Sequence, residues 1–96
     1  MKITTKTIRA DSKTSISSGT IDGCIYVECF DTESGKLNWS YNDTKGLGKV
    51  YDMVYNGINS ITVFGAYESR NDNGWVGPYC WVLSIAGELW EGYSCL

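Results

Sequence analysis

The chain has 96 residues, of which 43% are hydrophobic, 20% charged and 14% aromatic, so it can form one compact domain over residues 1–96 and is too short for two. Its net charge of −3 argues against nucleic-acid binding, which needs a clustered basic face. The chain has no histidine, which excludes Ser-His-Asp and Cys-His catalysis and most mixed Cys/His zinc sites. The composition therefore predicts no enzyme, no metal site and no cofactor.

No segment approaches the roughly 18 consecutive apolar residues of a membrane span. Residues 1–20 lack the apolar stretch of a signal peptide and are rich in serine, threonine and lysine, which favours a polar edge strand. As written, the sequence predicts no membrane association and a cytoplasmic protein, but it does not determine the compartment.

Beta-favouring residues dominate the chain, and turn residues recur every eight to twelve positions. Residues 36–42 alternate polar and apolar without a break, as a half-buried strand does, whereas residues 24–30 are apolar on both faces, as an interior strand is. The pattern predicts an all-β domain of about eight antiparallel strands, at residues 2–9, 14–21, 24–30, 36–42, 49–55, 60–67, 79–85 and 88–93.

One of these segments is ambiguous. Leu47, Val50, Tyr51 and Val54 also follow the i, i+3, i+4, i+7 spacing of an amphipathic helix. Glycines at the start of the segment and β-branched residues within it favour a strand. A short helix at 47–55 stays open as the alternative.

The four cysteines, Cys24, Cys29, Cys80 and Cys95, show no C-x2-C spacing, so a metal knuckle or redox motif is not indicated. A tight hairpin at residues 86–87 would place Cys80 opposite Tyr93 and two positions from Cys95, unless a bulge shifts the register. We therefore expect buried free thiols.

Two segments, residues 26–39 and 79–90, can be aligned as repeated strand-turn-strand units about fifty residues apart. The first unit resembles the repeat of pyrroloquinoline-quinone-type β-propellers. In that family a strand ends in an aspartate, a Thr/Ser-Gly-Lys turn follows, and the next strand carries a tryptophan. The matching residues are Asp31, Ser34, Gly35, Lys36 and Trp39; the second unit keeps only Gly87, Leu89 and Trp90.

The resemblance implies structural roles, in which Asp31, Gly35, Trp39, Gly87 and Trp90 hold neighbouring blades together. Residues 1–45 and 46–96 would then be two four-stranded, blade-like meanders. Two blades cannot close a ring that usually needs four to eight. The chain is therefore expected either to assemble into a homo-oligomeric ring, as a trimer or tetramer, or to fold alone as a small β-sandwich or barrel.

The aromatic residues Trp75 and Tyr79 flank the single proline, directly after a polar loop. Loops on rigid sheets often carry binding sites, and tryptophan and tyrosine are common interface anchors. We predict a binding site at Trp75 and Tyr79, with Asn73 and Arg70 beside them.

Three functional hypotheses follow. The first is a non-catalytic protein-binding or assembly module, supported by the repeat and the aromatic loop. The second is a small, independently encoded inhibitor that occludes a partner protein, for example one encoded by a phage and acting against a host defence system. The third is a lectin-like unit that binds carbohydrate through its aromatic residues.

Overall fold

The computed structural model describes residues 1–70 and 76–94, and of Arg70 only the backbone. These residues form eight strands and no helix, and they contain no helix able to cross a membrane. The strands are β1 (Lys2–Arg9), β2 (Thr14–Ile21), β3 (Cys24–Asp31), β4 (Leu37–Asn42), β5 (Gly46–Tyr55), β6 (Ser60–Arg70), β7 (Gly77–Ser84) and β8 (Leu89–Ser94). The predicted all-β fold of about eight strands is confirmed.

The strands form two antiparallel four-stranded meanders. The first sheet has the order β1-β2-β3-β4 and the second the order β5-β6-β7-β8, so every strand pairs with its neighbours in the sequence. This confirms the two predicted meanders. Both sheets are open, so the alternative of a closed barrel is wrong.

The segment 47–55 is part of strand β5, and a β-bulge within it explains the helix-like spacing of its apolar residues. Val50 pairs with Gly65 and Asp52 with Phe64, which leaves Tyr51 as an extra residue. The extra residue shifts the alternation, so that Val50 and Met53 are both buried although they are three positions apart. The helix alternative is therefore wrong.

The two sheets pack against each other over one apolar core. The first sheet contributes Ile16, Ile25, Val27 and Cys29, and the second contributes Val50, Met53, Ile61, Val63, Tyr67, Trp81 and Leu83. Each fully buried side chain of this size contributes about 1.5–3 kcal/mol of transfer free energy, so the packing of the two sheets dominates the stability of the fold.

Three polar contacts also join the sheets. The Gly48 N–H donates to the Gly23 carbonyl at 2.8 Å, which brings β5 against the β2–β3 turn. Lys6 Nζ lies 3.1 Å from a carboxylate oxygen of Asp52. At the other edge, the indole Nε1 of Trp39 in β4 donates to the Ile85 carbonyl at 2.9 Å.

The two sheets have matching irregularities. In the first sheet Thr4 pairs with Gly19, and the bulge in β1 follows directly. In the second sheet Val50 pairs with Gly65, and the bulge in β5 follows directly. Both glycines are required by close approach, because a Cβ at either would lie about 2 Å from the carbonyl oxygen of Ile3 or Lys49. The next strand places a tyrosine opposite each glycine, Tyr26 and Tyr79 respectively.

The last turn of each meander is also built alike. The Asp31 carboxylate accepts the N–H groups of Glu33 and Ser34 at 3.0 and 2.8 Å. In the second sheet the Ser84 hydroxyl has the same role, accepting the N–H groups of Ala86 and Glu88 at 3.2 and 3.1 Å. The glycine of each turn has a positive φ, 73° at Gly35 and 95° at Gly87. Ser84 therefore occupies the position in the second sheet that Asp31 occupies in the first, although the alignment of residues 26–39 with 79–90 showed no counterpart to Asp31.

The strand register changes one pairing of that comparison. Trp39 lies opposite Cys29, and the corresponding residue opposite Val82 is Glu91. Trp90 falls at the bulge of β8 and is 50% exposed. Trp39 and Trp90, which the sequence aligned, thus occupy different positions in the two sheets.

The cysteines differ from expectation at one position. Cys24 and Cys29 are free, and burial raises the pKa of the Cys29 thiol. Cys80 lies opposite Tyr93, as the hairpin argument predicted, but it is disulfide-bonded, so the expectation of a free thiol is wrong there. Cys95 lies outside the described residues.

Candidate binding surface

The sequence-predicted binding residues are only partly covered by the structure. Tyr79 lies in β7, half-buried, on the face toward the first sheet, with its ring 4.9 Å from that of Trp81 and 4.7 Å from that of Tyr67. Arg70 ends β6, and Asn73 and Trp75 lie outside the described residues. Tyr79 therefore belongs to an aromatic cluster between the sheets.

The outward side of the second sheet forms a continuous surface, which we call the free face. Alternation along the strands and the pairing between them place on it these residues: Lys49, Asp52, Val54, Thr62, Phe64, Ala66, Pro78, Cys80, Val82, Glu91 and Tyr93. Val54, Phe64 and Tyr93 are exposed by 50%, 40% and 43%. Seven of these eleven side chains are apolar, and one of the seven, the disulfide-bonded Cys80, is only 2% exposed.

An open groove of about 450 Å³ lies at one end of the free face. Its floor is Ala66 and Pro78, which are neighbours across β6 and β7, and Val76 borders it. Tyr51 and Glu68 also line the groove, and each is an extra residue at a β-bulge. Because a bulge changes the direction of the side chains around it, the alternation of residues in the sequence could not predict that these two side chains line a groove.

The groove has one ion pair at its rim. Lys49 Nζ lies 2.9 Å from a carboxylate oxygen of Glu68, and both side chains are about half exposed. The hydrogen bond from Lys49 to Glu68 raises the pKa of Lys49. Exposed pairs contribute at most about 1 kcal/mol to stability, so the pair mainly places one charge of each sign beside an apolar floor.

A buried aspartate lies behind the groove. Asp43, in the linker between the sheets, is 4% exposed. Its Oδ2 accepts the Trp81 Nε1–H at 2.8 Å and the Tyr67 hydroxyl, and its Oδ1 accepts the Lys45 N–H at 3.0 Å. This network attaches the linker to β6 and β7, and no feature of the sequence predicted it.

Two tyrosines near this aspartate are expected to ionise late. Burial, followed by the negative charge of Asp43, raises the pKa of Tyr41 to about 12, and burial also raises the pKa of Tyr67. Since the ordinary value is 10.0, unfolded tyrosine ionises first as pH rises, and stability should fall between pH 10 and about 12. Urea unfolding measured across this pH range should show that Tyr41→Phe loses less unfolding free energy than wild type does. Tyr51→Phe, which changes an exposed ring, should lose as much as wild type. Equal losses in all three proteins would contradict this prediction.

The outward side of the first sheet is more polar and holds a second groove of about 440 Å³. Lys2 Nζ donates to Glu28 at 2.5 Å and lies 4.9 Å above the Tyr26 ring. The Tyr26 and Thr4 hydroxyls are 2.7 Å apart. Phe30 and Leu37 form its apolar end, so this face combines an ordered polar half with an apolar half.

Across residues 1–70 and 76–94, no three His, Cys, Asp or Glu residues lie close enough together to hold a metal ion. The Asp31 carboxylate accepts hydrogen bonds from two amides of its own turn. Comparison of the chain with protein-family models, with curated proteins and with solved structures finds no match.

Proposed function

We propose that this chain is a non-catalytic protein-binding or assembly module and that the free face of the second sheet is its binding surface. The observation that supports this proposal most directly is the exposure of Val54, Phe64 and Tyr93 on one face of one sheet. Soluble proteins seldom expose contiguous apolar patches beyond a few hundred Å² unless a partner covers them.

The shape of the free face suits a protein surface. It is a sheet face with a shallow groove at one end, and the groove has an apolar floor with Lys49 and Glu68 at its rim. Protein interfaces commonly combine an apolar centre with a polar rim in this way. Tyr51 and Tyr93 add aromatic side chains, which give a large contact area at low entropic cost.

The test uses two differently tagged copies of the full chain, co-expressed in the organism that encodes it. One tag is captured, and the retained proteins are identified and quantified. Wild type should retain a protein in stoichiometric amount, and Phe64→Arg should lose it. The matched control is Ile58→Arg in the β5–β6 turn, which replaces an even more exposed apolar side chain, 78% exposed, away from the free face.

Circular dichroism should show that both variants remain folded. Retention of the same proteins by wild type and Phe64→Arg, or of no protein by wild type, would overturn the proposed function.

A further inference from the structure

We infer that the free face of the second sheet is covered by the outward face of the first sheet of another copy of this chain, in a head-to-tail contact. This inference rests on the proposed function and names the partner. It follows from three observations: the two sheets are built alike, the first packs on the second through non-equivalent faces, and Lys6 and Asp52, at matching positions, carry opposite charges.

The equivalence of the sheets defines matching positions. The glycine, the opposing tyrosine and the turn cap of the first sheet correspond to those of the second, which pairs Tyr26 with Tyr79 and Asp31 with Ser84. Counting from these positions, Glu28 corresponds to Trp81 and Phe30 to Leu83. Any residue in one sheet can therefore be compared with its counterpart in the other.

The sheets do not pack through equivalent faces. The second sheet uses the face that carries Trp81 and Leu83, both buried in the core. The corresponding face of the first sheet, with Glu28 and Phe30, points away from the core and holds the second groove. We call the face with Trp81 and Leu83 in the second sheet, and with Glu28 and Phe30 in the first, the front of each sheet, and the opposite face its back. The intramolecular contact is therefore heterologous, because the back of the first sheet lies against the front of the second.

The two outward faces are consequently one front and one back. The back of the first sheet, which carries Val27 and Tyr41, lies against the core of the molecule. Tyr41 corresponds to Tyr93 on the free face, because they lie opposite Val27 and Cys80 respectively. Tyr93 is 43% exposed and half-buried Tyr41 packs on the core, so another front would cover Tyr93 as the second sheet covers Tyr41.

Charge favours the same contact. Lys6 and Asp52 occupy corresponding positions, each directly after the bulge of its strand, and they form an ion pair between the sheets. Their side chains are still 44% and 52% exposed. Repeating the contact between copies brings Asp52 of one chain beside Lys6 of the next, so lysine and aspartate alternate along the stack.

A heterologous contact either closes into a ring or continues as a filament. Because each chain supplies two sheets, three or four chains would give the six or eight sheets that fit a closed ring of this kind. We expect a closed trimer or tetramer, in which every front is covered by a back.

Size-exclusion chromatography with light scattering tests the assembly. Wild type should have about three or four times the chain mass of 10.7 kDa. Phe30→Arg, on the front of the first sheet, and Phe64→Arg, on the back of the second, should each be monomeric. Ile58→Arg should keep the wild-type mass. Circular dichroism should show that all three variants are folded.

Mixing the two monomeric variants tests the direction of the contact. Each variant retains one intact face, and the two intact faces are complementary, so the mixture should form a two-chain complex of twice the 10.7 kDa chain mass. A double variant, Phe30→Arg with Phe64→Arg, should not associate with itself. No complex in the mixture would indicate a contact between identical faces and would overturn the inference.

A monomeric wild type would also overturn it. If such a monomer still retains a different protein in a Phe64-dependent manner, the proposed function stands without this inference. If it retains none, both fail.

Discussion

We expect Asp43→Ala to lower the free energy of unfolding by roughly 2–5 kcal/mol, because a buried donor that loses its acceptor costs about 1–3 kcal/mol. The Trp81 indole N–H and the Lys45 N–H lose their bonds to Asp43, and so does the Tyr67 hydroxyl. The linker between the sheets then loses its attachment to β6 and β7. Urea unfolding followed by tryptophan fluorescence measures the change.

The matched control is Asp11→Ala in the β1–β2 turn. Asp11 also accepts two backbone N–H groups, from Lys13 and Thr14 at 2.8 Å each, but it is exposed to solvent. Water can replace these bonds, so the loss should be much smaller than that for Asp43→Ala. Equal losses for the two aspartates would show that burial of the Asp43 network does not determine its contribution.

The strands and turns could be predicted because their signals are local. Alternation of side chains marks a half-buried strand, and the Asp-x-x-Ser-Gly sequence at residues 31–35 marks a turn that closes on its own amides. The two meanders followed from these signals, because a short turn joins antiparallel neighbours. No contact between distant residues was needed for this part of the fold.

The bulges could not be predicted, because each depends on the strand beside it. Tyr51 is an extra residue only relative to β6, and it converts a two-residue period into the three-residue spacing of Val50 and Met53. The bulge at Asn38 likewise places Leu37 on the outward face and Trp39 on the core side, although alternation predicted one face for both. A sequence period shows which residues are apolar, but the register between strands decides which way they face.

The candidate surface depends on contacts between distant parts of the chain. Asp43 accepts hydrogen bonds from Tyr67 and Trp81, which lie 24 and 38 positions further along the chain. No local sequence pattern therefore marks Asp43 as part of a buried network. In the sequence, the free-face residues Phe64 and Val82 look like core residues, because β6 and β7 carry apolar side chains on both faces. Only the packing of the two sheets shows which apolar face remains uncovered.

Trp39→Ala and Trp90→Ala test whether the two tryptophans are equivalent, as the sequence alignment implies, or occupy different positions, as the strand register shows. The Trp39 indole donates to the Ile85 carbonyl and lies so close to Gly87 that a Cβ there would be 2.6 Å from the ring. Removing it should destabilise the fold by about 3 kcal/mol, the lower end for a large aromatic residue in a core. Trp90 is 50% exposed, and its removal should change stability by less than about 1 kcal/mol.

Both variants are measured in the Phe64→Arg background, so that assembly does not contribute to the unfolding free energy. Urea unfolding followed by circular dichroism suits this comparison, since each variant loses one of the four tryptophans. A large loss for Trp39→Ala alone supports its role in joining the sheets, because the two residues differ in environment and not in type. Similar losses for both would show that Trp90 is as important to the fold as Trp39, which would contradict the register and favour the alignment of the two tryptophans.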